Sequence, residues 1–404
     1  MQKRIWWLWW GLVLVLGLTL LTPQLVPPQD KAVLSAHPPP QKQAVRVSPA
    51  FPRLARLAPH PDYQPLAQLL AAQPGTDSLH RAWARYESVK THYQAFNQGW
   101  QNLEQSRLTK LRRWAHQELD SLQKQRPFSV FYPFSGPDFL NVAVVFPQAQ
   151  TYLLFGLEPM GELPALSRMQ GQYLEAYLLN IRQALSEIFQ RNYFITVRMG
   201  QAFNTNVKGV LPILLVFLAR TGHEILSIEA VFLDNQGQAS FLPLGQKAAG
   251  LPGLRIRFQA EEEGQGQPKE LFYFPGDLAN AAFQNKKNLQ TFIQSFPRRL
   301  TLVKSASYLM HTSPFSLIRQ FILDHTEACV QDDTGLPYAF MKKAGWQVKL
   351  YGKYARPIRD FNHGYQPDLA QIFEKEAAQI PNLDFTFGYH WWTDKSSILL
   401  GQKP

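Results

Sequence analysis

The chain of 404 residues holds one cysteine, Cys329. A lone thiol excludes an intrachain disulfide, a cysteine-ligated zinc or iron–sulfur centre, and an N-terminal lipoprotein cysteine. It is compatible with an oxidising compartment without requiring one. The ten histidines form no His-x-x-x-His or His-Glu-x-x-His pair, so spacing indicates no metal site. No Gly-x-Ser-x-Gly elbow and no cofactor fingerprint stands out, so neither a serine nucleophile nor a cofactor is assigned. There is no internal repeat. Acidic residues are in the minority, 30 against 41 Lys and Arg, which leaves a formal net charge of +11. That balance favours anionic partners in general. The basic residues are spread along the chain with no nucleic-acid motif beside them, so nucleic acid is not expected as a partner.

What is present first is a long uncharged run. Lys3 and Arg4 precede Ile5–Leu21, Pro23 interrupts, and apolar character continues to Val26. Twenty-two helical residues reach roughly 33 Å, close to the hydrocarbon thickness of a bilayer. Trp6, Trp7, Trp9 and Trp10 cluster at the charged end, where rings favour the headgroup region. Residues 5–26 therefore read as a membrane anchor with the N-terminus inside and the remaining chain on the periplasmic or extracytoplasmic side. The alternative is a cleaved signal peptide and a secreted chain. The run is slightly long for a signal, and no Ala-x-Ala follows it. For a chain held beside a bilayer, the anionic lipid surface is the nearest acidic partner.

Residues 27–76 carry eleven of the prolines, among them Pro38, Pro39, Pro40, Pro49, Pro52 and Pro65, and read as an extended linker. From Pro59 to Leu70, draping over the domain surface is an equal alternative. Residues 77–126 read as helical. Leu79, Ala82, Tyr86, Val89, Tyr93, Phe96, Trp100 and Leu103 recur at 3-4 spacing, and Leu108, Leu111, Ala115, Leu119 and Leu122 continue the stripe after a change of phase. One long helix or a hairpin broken near Gly99 fits. So aromatic a stripe suits docking on a core, with binding of a protein partner along 79–122 as the other use.

Residues 127–404 alternate between strand and helix. Strands are expected at 128–132, 151–156, 193–199, 224–233, 254–259, 270–274, 299–304 and 348–354. Helices are expected at 163–190, 207–221, 279–296, 315–325, 337–344 and 368–379. The 254–259 and 270–274 pair reads as an antiparallel hairpin. The nine-residue run Leu211–Ala219 is too short to span a bilayer and reads as a buried core helix. The fold class is thus α/β: a mixed sheet layered by helices, Rossmann-like and three-layered, preceded by the transmembrane segment, the linker and the amphipathic helix.

Candidate site residues sit where strands end, since open α/β sheets bind ligands at the carboxyl ends of their strands. In the 131–138 loop, Ser135 and Gly136 offer N–H groups and Asp138 an acceptor. The 156–162 loop offers Glu158. The bland reading is a helix-capping turn, with Pro137 at the first helical position and Asp138 in the first turn. After the next strand come Lys304, an anion binder, and Ser305. Ser307 and His311 stand one helical turn apart, as in a nucleophile–base pair; a capped helix start is the alternative. Asp332 and Asp333, before Thr334-Gly335, suit a divalent cation or a plain turn. His390, between Tyr389 and Trp391 with Asp384 nearby, suits sugar stacking or a core position. The catalytic candidates are Asp138, Glu158 and His311; the ligand-binding candidates are Ser135, Gly136, Asp138, Glu158, Lys304, Ser305 and Asp332.

Strand, Gly loop, helix, strand and carboxylate loosely resemble the start of a Rossmann-like methyltransferase domain, in which the carboxylate after the second strand holds a ribose. Here one Gly followed by Pro replaces the Gly-x-Gly cradle of that family. The strings Tyr132-Pro-Phe-Ser-Gly-Pro-Asp138, Gly156-Leu-Glu-Pro159, Lys304-Ser-Ala-Ser-Tyr-Leu-Met-His311 and Gln331-Asp-Asp-Thr-Gly335 resemble those of an uncharacterised family of bacterial cell-envelope proteins. That resemblance covers residues 77–404 and implies location and class, but no activity. The expectation is an anchored extracytoplasmic protein that binds a small polar ligand or an envelope partner through the 131–138 and 156–162 loops. The alternative is a hydrolase or transferase using the same loops.

Overall fold

The computed structural model describes residues 62–203, 205–260, 267–390 and 395–404. The expected anchor and most of the linker lie outside these residues. Among the described residues, no helix is long and apolar enough to cross a membrane.

Among the described residues, ten strands form one mixed sheet: β1 (Ser129–Tyr132), β2 (Thr151–Gly156), β3 (His223–Leu233), β4 (Ala239–Pro243), β5 (Leu251–Ala260), β6 (Lys269–Pro275), β7 (Arg299–Val303), β8 (Ala328–Gln331), β9 (Gln347–Gly352) and β10 (Ser397–Gln402). Their order is β4-β3-β5-β6-β2-β1-β7-β8-β10-β9. The centre, β6-β2-β1-β7-β8, is all parallel. Both flanks are antiparallel: β3, β4 and β5 on one side, β10 between β8 and β9 on the other. The expected 254–259/270–274 hairpin is the β5–β6 pair. The central strands read as unbroken apolar runs because both faces are covered. In β2, Tyr152 and Leu154 enter the core cluster on one face, and Leu153 and Phe155 the cluster on the other.

The described residues also form thirteen α-helices: α1 (Tyr63–Leu70), α2 (Ser78–Trp83), α3 (Glu87–Leu103), α4 (Thr109–Lys124), α5 (Phe139–Val145), α6 (Gly171–Arg191), α7 (Thr196–Phe203), α8 (Leu211–Arg220), α9 (Asn280–Phe283), α10 (Lys287–Ser295), α11 (Ser316–His325), α12 (Tyr338–Lys343) and α13 (Pro367–Lys375). The larger cluster gathers residues of α1, α3–α6 and α8; the smaller gathers α9–α12. As expected, α8 is a core helix, buried from Leu211 to Ala219.

Three expectations are corrected. The linker does not extend to residue 76: Leu66, Ala67, Leu69 and Leu70 of α1 are buried in the larger cluster. Pro65 sits in the first turn of that helix, where its missing N–H has no intrahelical partner to lose. Residues 193–199 are not a strand. Met199 and Phe203 of α7 are both buried, and with Ile195 they recur at i, i+4, i+8, a period that a window ending at Met199 cuts off. Finally, residues 77–126 are not one helix throughout, although of the two forms expected the long helix holds over most of the range, with no break near Gly99. The chain turns at Ala84–Tyr86, then runs helically from Glu87 to Lys124 through a π-helical turn at Glu104–Leu108. That extra residue accounts for the change of phase in the apolar stripe. The stripe itself packs on the chain's own core: Phe96, Trp100, Leu103, Leu108, Leu111 and Leu119 are all buried there.

Candidate functional site

Parallel strands end on one edge, so the loops after β1, β2, β7 and β8 are neighbours. Most of the candidates chosen at strand ends do converge, but on one another.

The loops after β1 and β2 are zipped together. Ser135 Oγ lies 3.0 Å from both the N–H and the C=O of Phe155, accepting from the first and donating to the second. The Gly136 N–H, with φ +53°, donates to Phe155 O at 3.0 Å. Neither group is left to meet a ligand. A Cβ on Gly156 would lie 2.7 Å from Gly136 Cα and 2.5 Å from Glu158 Oε2, so the two backbones touch with the Glu158 carboxylate wedged beside them. Glu158 is buried, and its carbonyl accepts from Tyr273 Oη at 2.7 Å. The far side of the 156–162 loop is also bonded: Glu162 N–H reaches Lys208 O at 3.1 Å, while Val210 and Leu211 at the start of α8 donate to Pro159 O and Met160 O.

Asp138 is the N-cap of α5, accepting from Asn141 N–H at 3.1 Å. The capping reading thus holds, with the cap two residues later than expected because Pro137 precedes the helix. The same carboxylate accepts from Tyr132 Oη at 2.9 Å and pairs with Lys304 Nζ at 3.1 Å, both side chains almost wholly buried. Lys304 also donates to Asn192 O. Burial pulls its ammonium below the usual lysine range, and Asp138 opposes that shift. Behind this pair lies Arg107, which the π turn holds inside. It donates to Ile188 O at 2.8 Å, and burial pushes its guanidinium down to about 9.

Asp332 and Asp333 clamp the loop after β7. Asp332 accepts from Ser305 N–H at 2.9 Å and from Thr334 Oγ1 and N–H at 2.5 and 3.1 Å; Thr334 Oγ1 accepts from Ala306 N–H. Asp333 accepts from Tyr308 Oη at 2.5 Å. These bonds hold Ser305, Ser307 and Tyr308 at φ +54°, +53° and +54°, left-handed backbone that costs each residue of order 1 kcal/mol or more. The strained loop also undoes the expected nucleophile–base pair. Ser307 Oγ bonds Tyr389 Oη at 2.7 Å instead of His311, and His311 sits in a 3₁₀ turn, its imidazole pushed by burial down to about 4. The segment 387–390 closes over Asp332, where a Cβ on Gly388 would fall 2.2 Å from Oδ2. His390 is buried, and Asp384 pairs with Arg113 elsewhere. No group of three or more His, Cys, Asp or Glu side chains among the described residues is arranged to hold a metal.

The cluster as a whole sets three carboxylates, Asp138, Asp332 and Asp333, against Lys304 and Arg107. Burial raises both Asp332 and Asp333, and the charge of Asp332 helps lift Asp333 to about 7. A proton on that pair would balance the cluster. The folded chain holds a proton at Asp333 that the unfolded chain releases near 3.8, so this contribution to stability is full below that value and is lost as pH rises through about 7. Asn at position 333 is neutral throughout. The stability of Asp333→Asn relative to the parent is therefore expected to rise between about pH 5 and pH 8, read from melting midpoints. A difference that stays constant would refute the assignment.

Arg107, Tyr132, Asn141 and Tyr308 belong to this site and were not picked out from sequence, and Tyr389 was named only as a ring beside His390. Only Arg107 had a signal, the slip of phase between Leu103 and Leu108. Compared with known proteins, the chain matches no family model and no curated protein.

Proposed function

We propose that residues 127–404 form a Rossmann-like, methyltransferase-type domain that has closed its nucleotide crevice and serves as a binding module of the cell envelope, not as an enzyme. The observation that carries this reading is the filled strand edge: backbone contact between Gly136 and Gly156, with Asp138, Lys304, Asp332 and Asp333 bonded among themselves. The strand order supports the fold half of the proposal. β6-β2-β1-β7-β8 runs 3-2-1-4-5, reversing at β1 as doubly wound sheets do, and β10 enters antiparallel beside the fifth strand. Glu158 stands where that family keeps its ribose carboxylate, but here it is packed against Gly136 and Gly156.

Calorimetric titration of the chain with S-adenosylmethionine is expected to give no binding heat. Saturable binding with methyl transfer to any acceptor would overturn the proposal. The tether rests on the composition of residues 5–26. The full chain should stay with membranes through alkaline carbonate extraction and be released when residues 1–26 are removed; release of the full chain would refute the anchor.

A further inference from the structure

Among the described residues, the opposite edge of the sheet holds a cavity. It lies at the amino ends of the parallel strands and has about 790 Å³, a volume that suits a small organic ligand. Arg126 and Pro127 lead into β1, Gln150 into β2, and Lys269 begins β6; α4 and the end of α5 form the walls. Among the described residues, four that line it are basic, Arg112, Arg126, Arg220 and Lys269, against one carboxylate, Asp120, and of the four Arg112 is paired with Glu104 outside the lining. Two of these arginines are held by neutral groups. Arg126 donates to the Gln148 amide oxygen. Arg220 donates to Asn97 and lies over the Phe96 and Trp100 rings, at 4.8 and 5.2 Å from the ring centroids. Their positions are therefore fixed while their charges meet no carboxylate among the described residues. Ala115, Ala143 and Val144 add an apolar wall.

We infer that this cavity is a binding site for a small organic phosphate, with the charged group against Arg126, Arg220 and Lys269 and an apolar portion against α4 and α5. Planar guanidinium groups suit phosphate oxygens, and a concave site of one sign concentrates anions. The competing explanation is that the cations only cap helices, since α4, α5 and α8 all end at this edge and their carbonyls favour positive charge. Caps of that kind lose stability when removed but bind nothing.

The test uses the full chain in detergent, with inorganic pyrophosphate as the soluble probe and a water-soluble, short-chain phosphatidylglycerol as the lipid probe. The inference expects saturable, salt-sensitive binding of at least one probe. Arg126→Gln should weaken it about tenfold, as should His116→Glu, an exposed position on α4 that places a carboxylate in the cavity. Lys353→Gln, away from the cavity, should leave it unchanged. Pyrophosphate binding alone would identify a soluble phosphate, and short-chain phosphatidylglycerol binding alone a lipid headgroup. Binding of neither probe, or binding indifferent to both cavity variants, would overturn the inference and leave the cations as helix caps.

Discussion

Lys304→Met is expected to cost roughly 3–5 kcal/mol of unfolding free energy at neutral pH, measured by urea denaturation. Methionine keeps the length of the apolar stem, so the loss isolates the charge. Without the ammonium, Asp138 keeps Tyr132 and Asn141 as donors but loses the cation 3.1 Å away, and Arg107 alone faces three buried carboxylates. Leaving a buried charge unpaired costs far more than an intact pair contributes. The penalty should also shrink as pH falls. Asp332 and Asp333 already sit above the ordinary carboxylate range, losing Lys304 raises Asp332 further, and protonating them removes the excess negative charge. A variant as stable as the parent would mean that the cluster is not held by this cation.

The second large effect is expected at Gly161, where the 156–162 loop crosses the start of α8. A Cβ there would lie 1.6 Å from Lys208 O and 2.7 Å from Gly209 Cα, and the residue has φ +79°. Both obstacles are backbone, so no rotamer change can relieve them. Left-handed strain and overpacking together put Gly161→Ala at about 2–4 kcal/mol. Gly171→Ala is the internal control. Its φ is +53°, but nothing lies within 4 Å of the added methyl, so only the conformational cost of about 1 kcal/mol should appear. Equal losses at the two sites would contradict the crossing.

These two positions show what could and could not be read from the chain alone. β2 was legible to the residue, because a strand covered on both faces is an uninterrupted apolar run. β8, only Ala328–Gln331, and the edge strand β4, closing on Pro243, are too short or too broken to announce themselves, and β10 also escaped. The slip in the helical stripe was visible, but its meaning was not. It marks the π turn that points Arg107 inward, not a break at Gly99, whose missing Cβ makes room for Phe189. Strand-end position brought Asp138, Lys304 and Asp332 together as candidates, since parallel strands deliver their loops to one edge. Whether such residues face a cleft or each other depends on contacts between distant segments. The approach of Gly156 to Gly136 and of Gly388 to Asp332 leaves no local pattern.

The claim that this edge is a closed structural cluster, not a site awaiting a ligand, is tested most directly by a double-mutant cycle. The unfolding free energies of Asp138→Asn, Lys304→Met and the double variant are to be compared with that of the parent. The account predicts that each single variant is destabilised and that the double variant recovers much of the loss, a coupling of about 2 kcal/mol or more. Single variants as stable as the parent, or more stable, would contradict it, because charges kept for function at the expense of the fold raise stability when removed.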